Sequence, residues 1–236
     1  MTDYDLYYWP VPFRGQFIRA ILAFAGKSWT EHDGEAIAKL MAANPADQPI
    51  PFVGPPVLIE NTTGFALAEM PAIALYLGET LGLVPPTAQG RGRTAKIVND
   101  ANDVLDEMTL NGGREMWTRA KWDKFQPRLK HWLTIWEATG RRNGLTGTAG
   151  FILDTSEAGV ADVVTATLWS TMADRFPAIA AVLEETAPAT AALSRCMQAL
   201  PALAALAARS FEQYGDRWCG GDIETSLRES LPKPDD

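Results

Sequence analysis

The stretch of residues 54–77 constrains the fold more than any other part of this chain. Residues 57–60 are predicted to form a short strand, residues 61–64 a turn rich in Asn, Thr and Gly, and residues 65–68 a second strand, which together make a β-hairpin. Pro71 then suits the first turn of a helix, where its missing N–H group costs nothing. The free backbone N–H groups and positive dipole end of such a helix can bind a carboxylate.

The residues before the hairpin predict a small α/β unit. Apolar runs and apolar stripes at helical spacing predict strands at residues 6–9 and 28–33, and helices at residues 15–25 and 35–43. Pro56, which closes a polar loop, is a candidate cis-proline in a tight bend. The order strand, helix, strand, helix, strand, strand, helix predicts a thioredoxin-like α/β domain that ends near Gly82.

The strand signals stop after Gly82. Apolar residues at helical spacing then predict helices at residues 93–110, 122–139 and 160–176, and further helix starts at Pro177, Pro188 and Pro201. We therefore predict an α/β domain at residues 1–82, a linker at residues 83–92 and an all-helical domain at residues 93–236. The last residues, 232–236, are predicted to be frayed.

The net charge of −8 narrows the classes of partner. Nucleic acids and anionic membrane surfaces attract basic patches, so we expect this acidic chain to bind neither. No apolar run approaches the length of a bilayer span. The first residues have neither a basic segment nor an apolar segment, which predicts that no secretory signal is present. These features favour a cytoplasmic protein.

The cysteines and histidines predict neither a disulfide framework nor a metal site. Cys196 and Cys219 are the only cysteines and form no Cys-x-x-Cys motif, so a reducing compartment is the simpler interpretation. His32 and His131 are isolated, with no metal-ligand spacing around them, and we predict no metal.

Three motifs occur in order along the chain. They are Tyr7-Tyr8-Trp9-Pro10 with Arg14-Gly15-Gln16; Pro56, the hairpin and Glu69-x-x-Ala72-Ile73-x-x-Tyr76-Leu77; and Gly159-Val160-Ala161-Asp162 before an apolar helix. Together they resemble the cytosolic glutathione S-transferase family, of bacterial type and with a tyrosine-type active site. The resemblance covers about the whole chain apart from its extreme C-terminus.

The resemblance implies a function as well as a fold. It implies a glutathione-binding thioredoxin-like domain, followed by an all-α helical bundle that carries much of the electrophile pocket. It also implies a homodimeric detoxification enzyme in which the thiolate of glutathione, the co-substrate, attacks a small apolar electrophile. The alternative is a fold relative that has lost catalysis and acts as a protein-interaction module.

Tyr8 is the catalytic candidate that the resemblance selects. A phenol that donates a hydrogen bond to the glutathione sulfur favours the thiolate, which is the reactive nucleophile. From spacing alone Tyr8 is equally interpretable as a core tyrosine, because Tyr4 and Tyr7 lie on the same predicted strand. No serine precedes Ser28 and no cysteine precedes Cys196, so serine-type and cysteine-type sites have no residue in place.

The resemblance also implies a set of glutathione-binding residues, and two of them depart from the family pattern. The set is Arg14, Pro55, Pro56, Val57, Glu69 and Met70. Met70 stands where the family has a serine, so one hydroxyl is missing. Pro55 has no N–H group to donate to glutathione. Several of these residues also have an interpretation that involves no ligand. Glu69 is equally an acidic residue that favours a helix N-terminus, Arg14 a surface arginine at a helix start, and Pro55-Pro56 part of a rigid loop.

Structural roles are predicted for two acidic residues of the helical part, Asp162 and Asp103. Gly159 stands where the family has a serine cap, and Asp162 is predicted to accept the N–H of Gly159 as half of a capping box. Asp103 is either a solvated charge or, as the resemblance implies, a residue that faces the active site of a partner subunit.

Overall fold

The structure is a computed structural model that describes residues 2–232, so residues 233–236 of the predicted frayed tail lie outside it. Its first part contains a four-stranded sheet in the order β2-β1-β3-β4. The strands are β1 (Tyr4–Tyr7), β2 (Trp29–His32), β3 (Val57–Glu60) and β4 (Ala66–Ala68). Strand β1 pairs parallel with β2 and antiparallel with β3, and β3 pairs antiparallel with β4.

The register of the sheet brings three segments of the chain together at one end. Tyr7 lies opposite Val57, and Val57 lies opposite Ala68. The residues just outside these pairs are Tyr8 after β1, Pro56 before β3 and Glu69 after β4. The predicted catalytic tyrosine, the candidate cis-proline and the residue at the start of the next helix therefore share one end of the sheet.

Side chains of the strands alternate between the two faces of the sheet. Leu6 and Leu58 belong to the main core, where α1 (Phe13–Phe24) packs against α3 (Met70–Thr80). Val57 and Ala68 point to a second, smaller cluster with Ile37 of α2 (Gly34–Ala42). Asp33 caps the N-terminus of α2, and its carboxylate accepts the backbone N–H groups of two residues in the first turn.

The remaining elements are helical, and no strand follows Ala68 within residues 2–232. They are α4 (Ala88–Met108), the short turn α5 (Leu110–Gly113), α6 (Arg119–Arg142), α7 (Val160–Ala173), α8 (Pro177–Thr186), α9 (Pro188–Gln198), α10 (Pro201–Tyr214) and α11 (Gly221–Ser230). The predicted fold class is confirmed: a thioredoxin-like α/β part is followed by an all-helical part.

Several predicted element boundaries differ from the structure, and for two of them the physical reason is clear. The apolar run at residues 6–9 suggested a strand there, but β1 starts at Tyr4 and ends at Tyr7, because the ladders to β2 and β3 span these residues. Helix α4 starts at Ala88 instead of Arg93, because the Thr87 hydroxyl accepts the N–H of Gly90 at 3.0 Å and caps the helix earlier.

Helix α7 is the central helix of the bundle, as its apolar sequence predicts. It packs against α1, α4, α8 and α9, and nearly every side chain in it is buried. At its start the Asp162 carboxylate accepts the N–H of Gly159 at 2.9 Å and the N–H of Ile152 at 2.8 Å. The predicted half of a capping box is present, and the same carboxylate also holds the preceding loop.

The helices were compared with the length and hydropathy that a bilayer span requires. Within residues 2–232 no single helix has the length and hydropathy of a bilayer span. Helices α9 and α10 meet those criteria only when taken together across a bend of 89°.

Candidate active site

Tyr8 lies in the loop between β1 and α1 and is only 3% exposed. It directly follows the strand, and its side chain continues the alternation of β1: Tyr4 and Tyr8 pack in the main core, whereas Tyr7 packs against the smaller cluster. Its hydroxyl oxygen accepts the backbone N–H of Arg14 at 3.1 Å. The phenol therefore ends at the first turn of α1, where backbone N–H groups have no partners within the helix.

The surroundings of Tyr8 keep its phenol protonated. Burial raises the pKa of Tyr8 to about 12, although the positive charges of Arg14 and Arg19 oppose this shift. The guanidinium carbon of Arg19 lies 5.7 Å from the centroid of the Tyr8 ring. Since the bond from Arg14 uses a lone pair of the hydroxyl oxygen, the hydroxyl hydrogen is left to donate to another group.

Gly15 sets how closely the Tyr8 ring approaches α1. A Cβ atom built on Gly15 would lie 2.3 Å from Cδ1 and 2.7 Å from Cγ of Tyr8. No role of its own was predicted for this glycine from the sequence. The available signal was a glycine inside the first turn of a predicted helix, where it lowers helix propensity and so needs a packing reason.

Arg14 connects the first turn of α1 to helix α4. Its Nε donates to Oδ1 of Asn102 at 3.1 Å, and its guanidinium lies 4.0 Å from the carboxylate of Asp106. Its side chain is 21% exposed, so it is not the free surface arginine of the alternative interpretation. Asn102 was not among the predicted site residues, because nothing in its local sequence indicates a partner in α1.

The peptide bond between Pro55 and Pro56 is cis, as predicted for Pro56. Pro56 is buried and Pro55 is partly exposed. The carbonyl of Pro56 accepts the backbone N–H of Glu69 at 3.2 Å, which ties the proline loop to the start of α3. Val57, the next residue, is fully buried at the start of β3.

Glu69 and Met70 stand at the N-terminus of α3 with opposite exposures. Glu69 is exposed and adopts φ 76° and ψ 122°, a left-handed conformation that costs a non-glycine residue roughly 1–2 kcal/mol. Backbone strain of this kind is concentrated at binding sites. Met70 is fully buried, so its thioether lies in the core and only its backbone faces the helix end.

Two other backbone donors near Tyr8 are already occupied. The N–H of Val11 donates to the carbonyl of Trp9 at 2.8 Å, and the N–H of Phe13 donates to the carbonyl of Trp218 at 3.1 Å. The rings of Phe13 and Trp218 also meet edge to face, with centroids 5.1 Å apart. The segment before α11 therefore packs directly on the loop that follows Tyr8, which sequence analysis did not foresee.

Asp103, for which the resemblance implied a role, and the aromatic residue Trp117 both lie outside this end of the sheet. Asp103 lies on the exposed side of α4, where partial desolvation by its neighbours and the nearby charges of Asp100, Glu107 and Asp106 raise its pKa. Trp117 is 4% exposed, and its indole N–H donates to the carbonyl of Met108 at 3.0 Å. Trp117 is therefore a core residue of the helical part.

Residues 93–230 match the family model described as "Glutathione S-transferase, C-terminal domain". The chain belongs to the glutathione S-transferase family. In this transferase-family chain, the matched residues cover most of α4 and all of α5 to α11. The site around Tyr8 lies outside the match and rests on its own geometry. No curated protein matches the sequence.

Solved structures of glutathione S-transferases are similar to this chain in fold. The glutathione S-transferase from Ascaris lumbricoides has a TM-score of 0.70 at 20% identity, with 88% of this chain and 97% of that chain covered. A Nu-class enzyme from Haemonchus contortus has a TM-score of 0.68 at 21% identity, with the same coverage. The prostaglandin synthase D of Nilaparvata lugens is also similar in fold, with a TM-score of 0.65 at 18% identity. The comparison covers 87% of this chain and 97% of that chain.

Proposed function

We propose that the protein is a catalytically active glutathione transferase with a tyrosine-type active site. Its reaction is the attack of glutathione thiolate on a small apolar electrophile. The observation that carries this proposal is the position of Tyr8: its buried hydroxyl accepts the N–H of Arg14, at the end of the sheet that also holds Pro56 and Glu69.

Tyr8 acts by donating a hydrogen bond to the sulfur of bound glutathione. With a pKa of about 12, its phenol stays neutral at physiological pH and keeps the proton that it donates. Such a bond stabilises the thiolate relative to the thiol. Lowering the thiol pKa by about two units corresponds to roughly 2.7 kcal/mol. The thiol proton passes to solvent, and the thiolate sulfur forms a bond to the electrophilic carbon, whose leaving group departs with its bonding electrons. Tyr8 remains protonated throughout.

The rest of glutathione is held at the same end of the sheet. The carboxylate of Glu69, exposed at the start of α3, accepts a hydrogen bond from the α-amino group, and the N–H of Met70 at the helix N-terminus donates one to the neighbouring carboxylate. Backbone groups of Pro55, Pro56 and Val57 lie along the cysteinyl part. Arg14 adds a positive charge that balances the anionic peptide.

The architecture supports a division of labour between two parts of the chain. We assign glutathione binding to a domain at residues 1–82, followed by a linker at residues 83–92, of which residues 88–92 form the start of α4. We assign much of the electrophile pocket to a helical domain at residues 93–236. We further propose a cytoplasmic homodimer with a role in detoxification.

A non-catalytic interaction module is the second candidate, and two residues favour it. Pro55 offers glutathione a carbonyl but no N–H group, and Met70 has its side chain fully buried and provides no hydroxyl. Both features weaken glutathione binding. Calorimetric titration distinguishes the candidates, since a transferase binds glutathione in the micromolar to millimolar range, whereas no binding at several millimolar would favour the module.

The deciding experiment compares Tyr8→Phe with Tyr7→Phe in conjugation of glutathione to a simple aromatic electrophile. We expect Tyr8→Phe to bind glutathione but to lower turnover near neutral pH by one to two orders of magnitude, about 1.4–2.7 kcal/mol. The apparent pKa of the bound thiol should rise toward the free-thiol value of about 8.5.

Tyr7→Phe is the matched control, because it removes the same atom from the neighbouring residue. The Tyr7 ring stacks on His32 with centroids 4.1 Å apart, on the face of the sheet that packs against α2. The pH profile of conjugation by Tyr7→Phe should match that of the wild type. A shift in Tyr7→Phe alone, or in neither variant, would refute the assignment of Tyr8.

A further inference from the structure

Phe13 has a backbone conformation that a phenylalanine rarely adopts. It is the first residue of α1, and its φ is 27°. This value lies in the left-handed region, where the Cβ atom of any residue other than glycine crowds the neighbouring backbone. Such a conformation is unfavourable by itself and persists only where the surrounding structure enforces it. The contacts around Phe13 must therefore hold it in place.

The segment before α11 supplies these contacts. The N–H of Phe13 donates to the carbonyl of Trp218 at 3.1 Å, and the two rings meet edge to face. Trp218 is 1% exposed, and the other side of its ring packs on Phe176, with centroids 5.6 Å apart. A Cβ atom built on Gly220 would lie 3.3 Å from Cγ1 of Val11, so this segment also fits closely against the loop before α1.

The backbone of Phe13 joins two hydrogen bonds. Its own N–H is bound to Trp218, and the N–H of the next residue, Arg14, donates to the hydroxyl oxygen of Tyr8 at 3.1 Å. Because each peptide unit is planar, the φ and ψ of Phe13 alone set the angle between these two N–H groups. If φ returned to a negative value while the first bond stayed in place, the N–H of Arg14 would turn away from Tyr8.

The Phe13 ring is held from a second direction. The guanidinium carbon of Arg14 lies 4.8 Å from the centroid of this ring, within the range of a cation–π contact. The same guanidinium is fixed by Asn102 of α4, to which its Nε donates at 3.1 Å. Removing the ring therefore removes contacts with both Trp218 and Arg14, and only the backbone bond to Trp218 is left.

We propose that Phe13 is a positioning residue of the active site. Held by Trp218, its left-handed backbone directs the N–H of Arg14 at the hydroxyl of Tyr8. The bond from Arg14 occupies one lone pair of the hydroxyl oxygen and so restricts where the hydroxyl hydrogen points. The consequence for catalysis rests on the proposed function of Tyr8, whereas the control of the bond between Arg14 and Tyr8 does not.

The test compares Phe13→Ala with Phe13→Gly, because both lose the ring but only glycine adopts a positive φ readily. The first readout is hydrogen exchange of the Arg14 amide in the full chain by NMR, relative to the amide of Ile18 in the same helix. We expect exchange about tenfold faster than in the wild type for Phe13→Ala, and within about threefold for Phe13→Gly. A residue that only fills space predicts the reverse order, since alanine favours a helix more than glycine.

The second readout is the pH profile of glutathione conjugation. Phe13→Ala should raise the apparent pKa of the bound thiol and lower turnover near neutral pH about threefold to tenfold, with little change in the KM for glutathione. The loss should shrink at higher pH, where the thiol is ionised in every variant. Phe13→Gly should stay close to the wild-type profile.

Phe176→Leu is the matched control for Phe13→Leu, because each shortens one of the two rings that pack on Trp218. Phe13→Leu keeps its Cβ atom and should change both readouts in the direction of Phe13→Ala, even if the alanine variant does not fold. Phe176→Leu should lower the thermal stability and leave both readouts unchanged.

Three results would overturn the positioning role of Phe13. They are equal Arg14 exchange in Phe13→Ala and Phe13→Gly, unchanged exchange in Phe13→Leu, and an effect of Phe176→Leu as large as that of Phe13→Leu. A wild type that does not conjugate glutathione refutes the proposed function instead, and exchange of the Arg14 amide then still decides whether Phe13 controls the bond to Tyr8.

Discussion

At the scale of single residues, the site depends on how closely Tyr8 lies against the first turn of α1. The space that its ring occupies is available only because residue 15 has no side chain. Helix propensity alone would favour alanine at position 15 by about 1 kcal/mol. A Cβ atom at 2.3 Å from Cδ1 of Tyr8 is a severe overlap, so the packing effect outweighs the propensity.

We therefore expect Gly15→Ala to destabilise the protein by about 1–3 kcal/mol and to lower turnover, because the Tyr8 ring must move. Urea unfolding and the conjugation rate measure the two effects. Gly92→Ala is the control, since a Cβ atom on Gly92 of α4 meets no other atom within 4 Å. It should be neutral or slightly stabilising. Equal stability of the two variants would contradict the proposed packing.

Pro55 is the second residue whose chemistry predicts a measurable effect. A valine in its place would provide an N–H donor for glutathione, and one such hydrogen bond contributes on the order of 1 kcal/mol. Pro55→Val should lower the KM for glutathione several-fold. Pro51→Val, at an exposed proline of the same loop, should leave this KM unchanged. A folded Pro55→Val variant with an unchanged KM would count against backbone contact at this residue.

At the scale of secondary-structure elements, α7 is held at its start by a buried carboxylate. Asp162 is 1% exposed and accepts N–H groups from the helix cap and from Ile152 of the preceding loop. Removing it leaves both donors without partners inside the protein. This effect is larger than the loss of an ordinary helix cap, which costs about 1 kcal/mol.

Asp162→Ala should lower the free energy of unfolding by about 2–4 kcal/mol, as measured in urea. Asp222→Ala is the control, because Asp222 is also acidic and lies in the first turn of a helix, α11, but is exposed. Asp222→Ala should lower the free energy of unfolding by less than about 1 kcal/mol, which is typical of a surface charge near a helix N-terminus. Similar losses for both would show that burial of Asp162 is unimportant.

At the scale of the whole molecule, the end of the chain returns to the loop that follows Tyr8. The carboxylate of Glu224 holds this return by accepting the N–H groups of Trp218, Cys219 and Gly220 at 2.8, 2.9 and 2.7 Å. Arg228 pairs with the same carboxylate. The Trp218 ring then packs edge to face on both Phe13 and Phe176.

This arrangement predicts a pH dependence. Burial alone would raise the pKa of Glu224, but the N–H groups of Gly220 and Trp218 and the charge of Arg228 outweigh it and lower the pKa. A carboxyl group with a lowered folded-state pKa stabilises the protein above its ordinary pKa, and this contribution disappears as the pH falls through the folded-state value.

Glu224→Gln should therefore lower the free energy of unfolding by about 3 kcal/mol at neutral pH. The difference from the wild type should shrink in acid, where Glu224 of the wild type is protonated too. Urea unfolding at several pH values measures this difference, and hydrogen exchange should show faster opening around residues 215–221. Glu229→Gln, at an exposed position of α11, is the control. A difference independent of pH would exclude the carboxylate as the cause.

Features that depend on local chemistry were predictable from the sequence. The turn residues after β3 set the hairpin, proline set the starts of α3, α8, α9 and α10, and Pro56 follows a cis bond. The capping role of Asp162 also follows from residues three apart in sequence. In each case a few adjacent residues restrict the backbone, so neighbours in sequence carry the information.

The tertiary structure alone decided which distant residues meet. Gly15 is required by the Tyr8 ring, Arg14 is held by Asn102 of α4, and Phe13 is covered by Trp218 near the end of the chain. The physical reason is that such contacts arise from the packing of whole elements, and local sequence patterns carry no record of which element will be the neighbour.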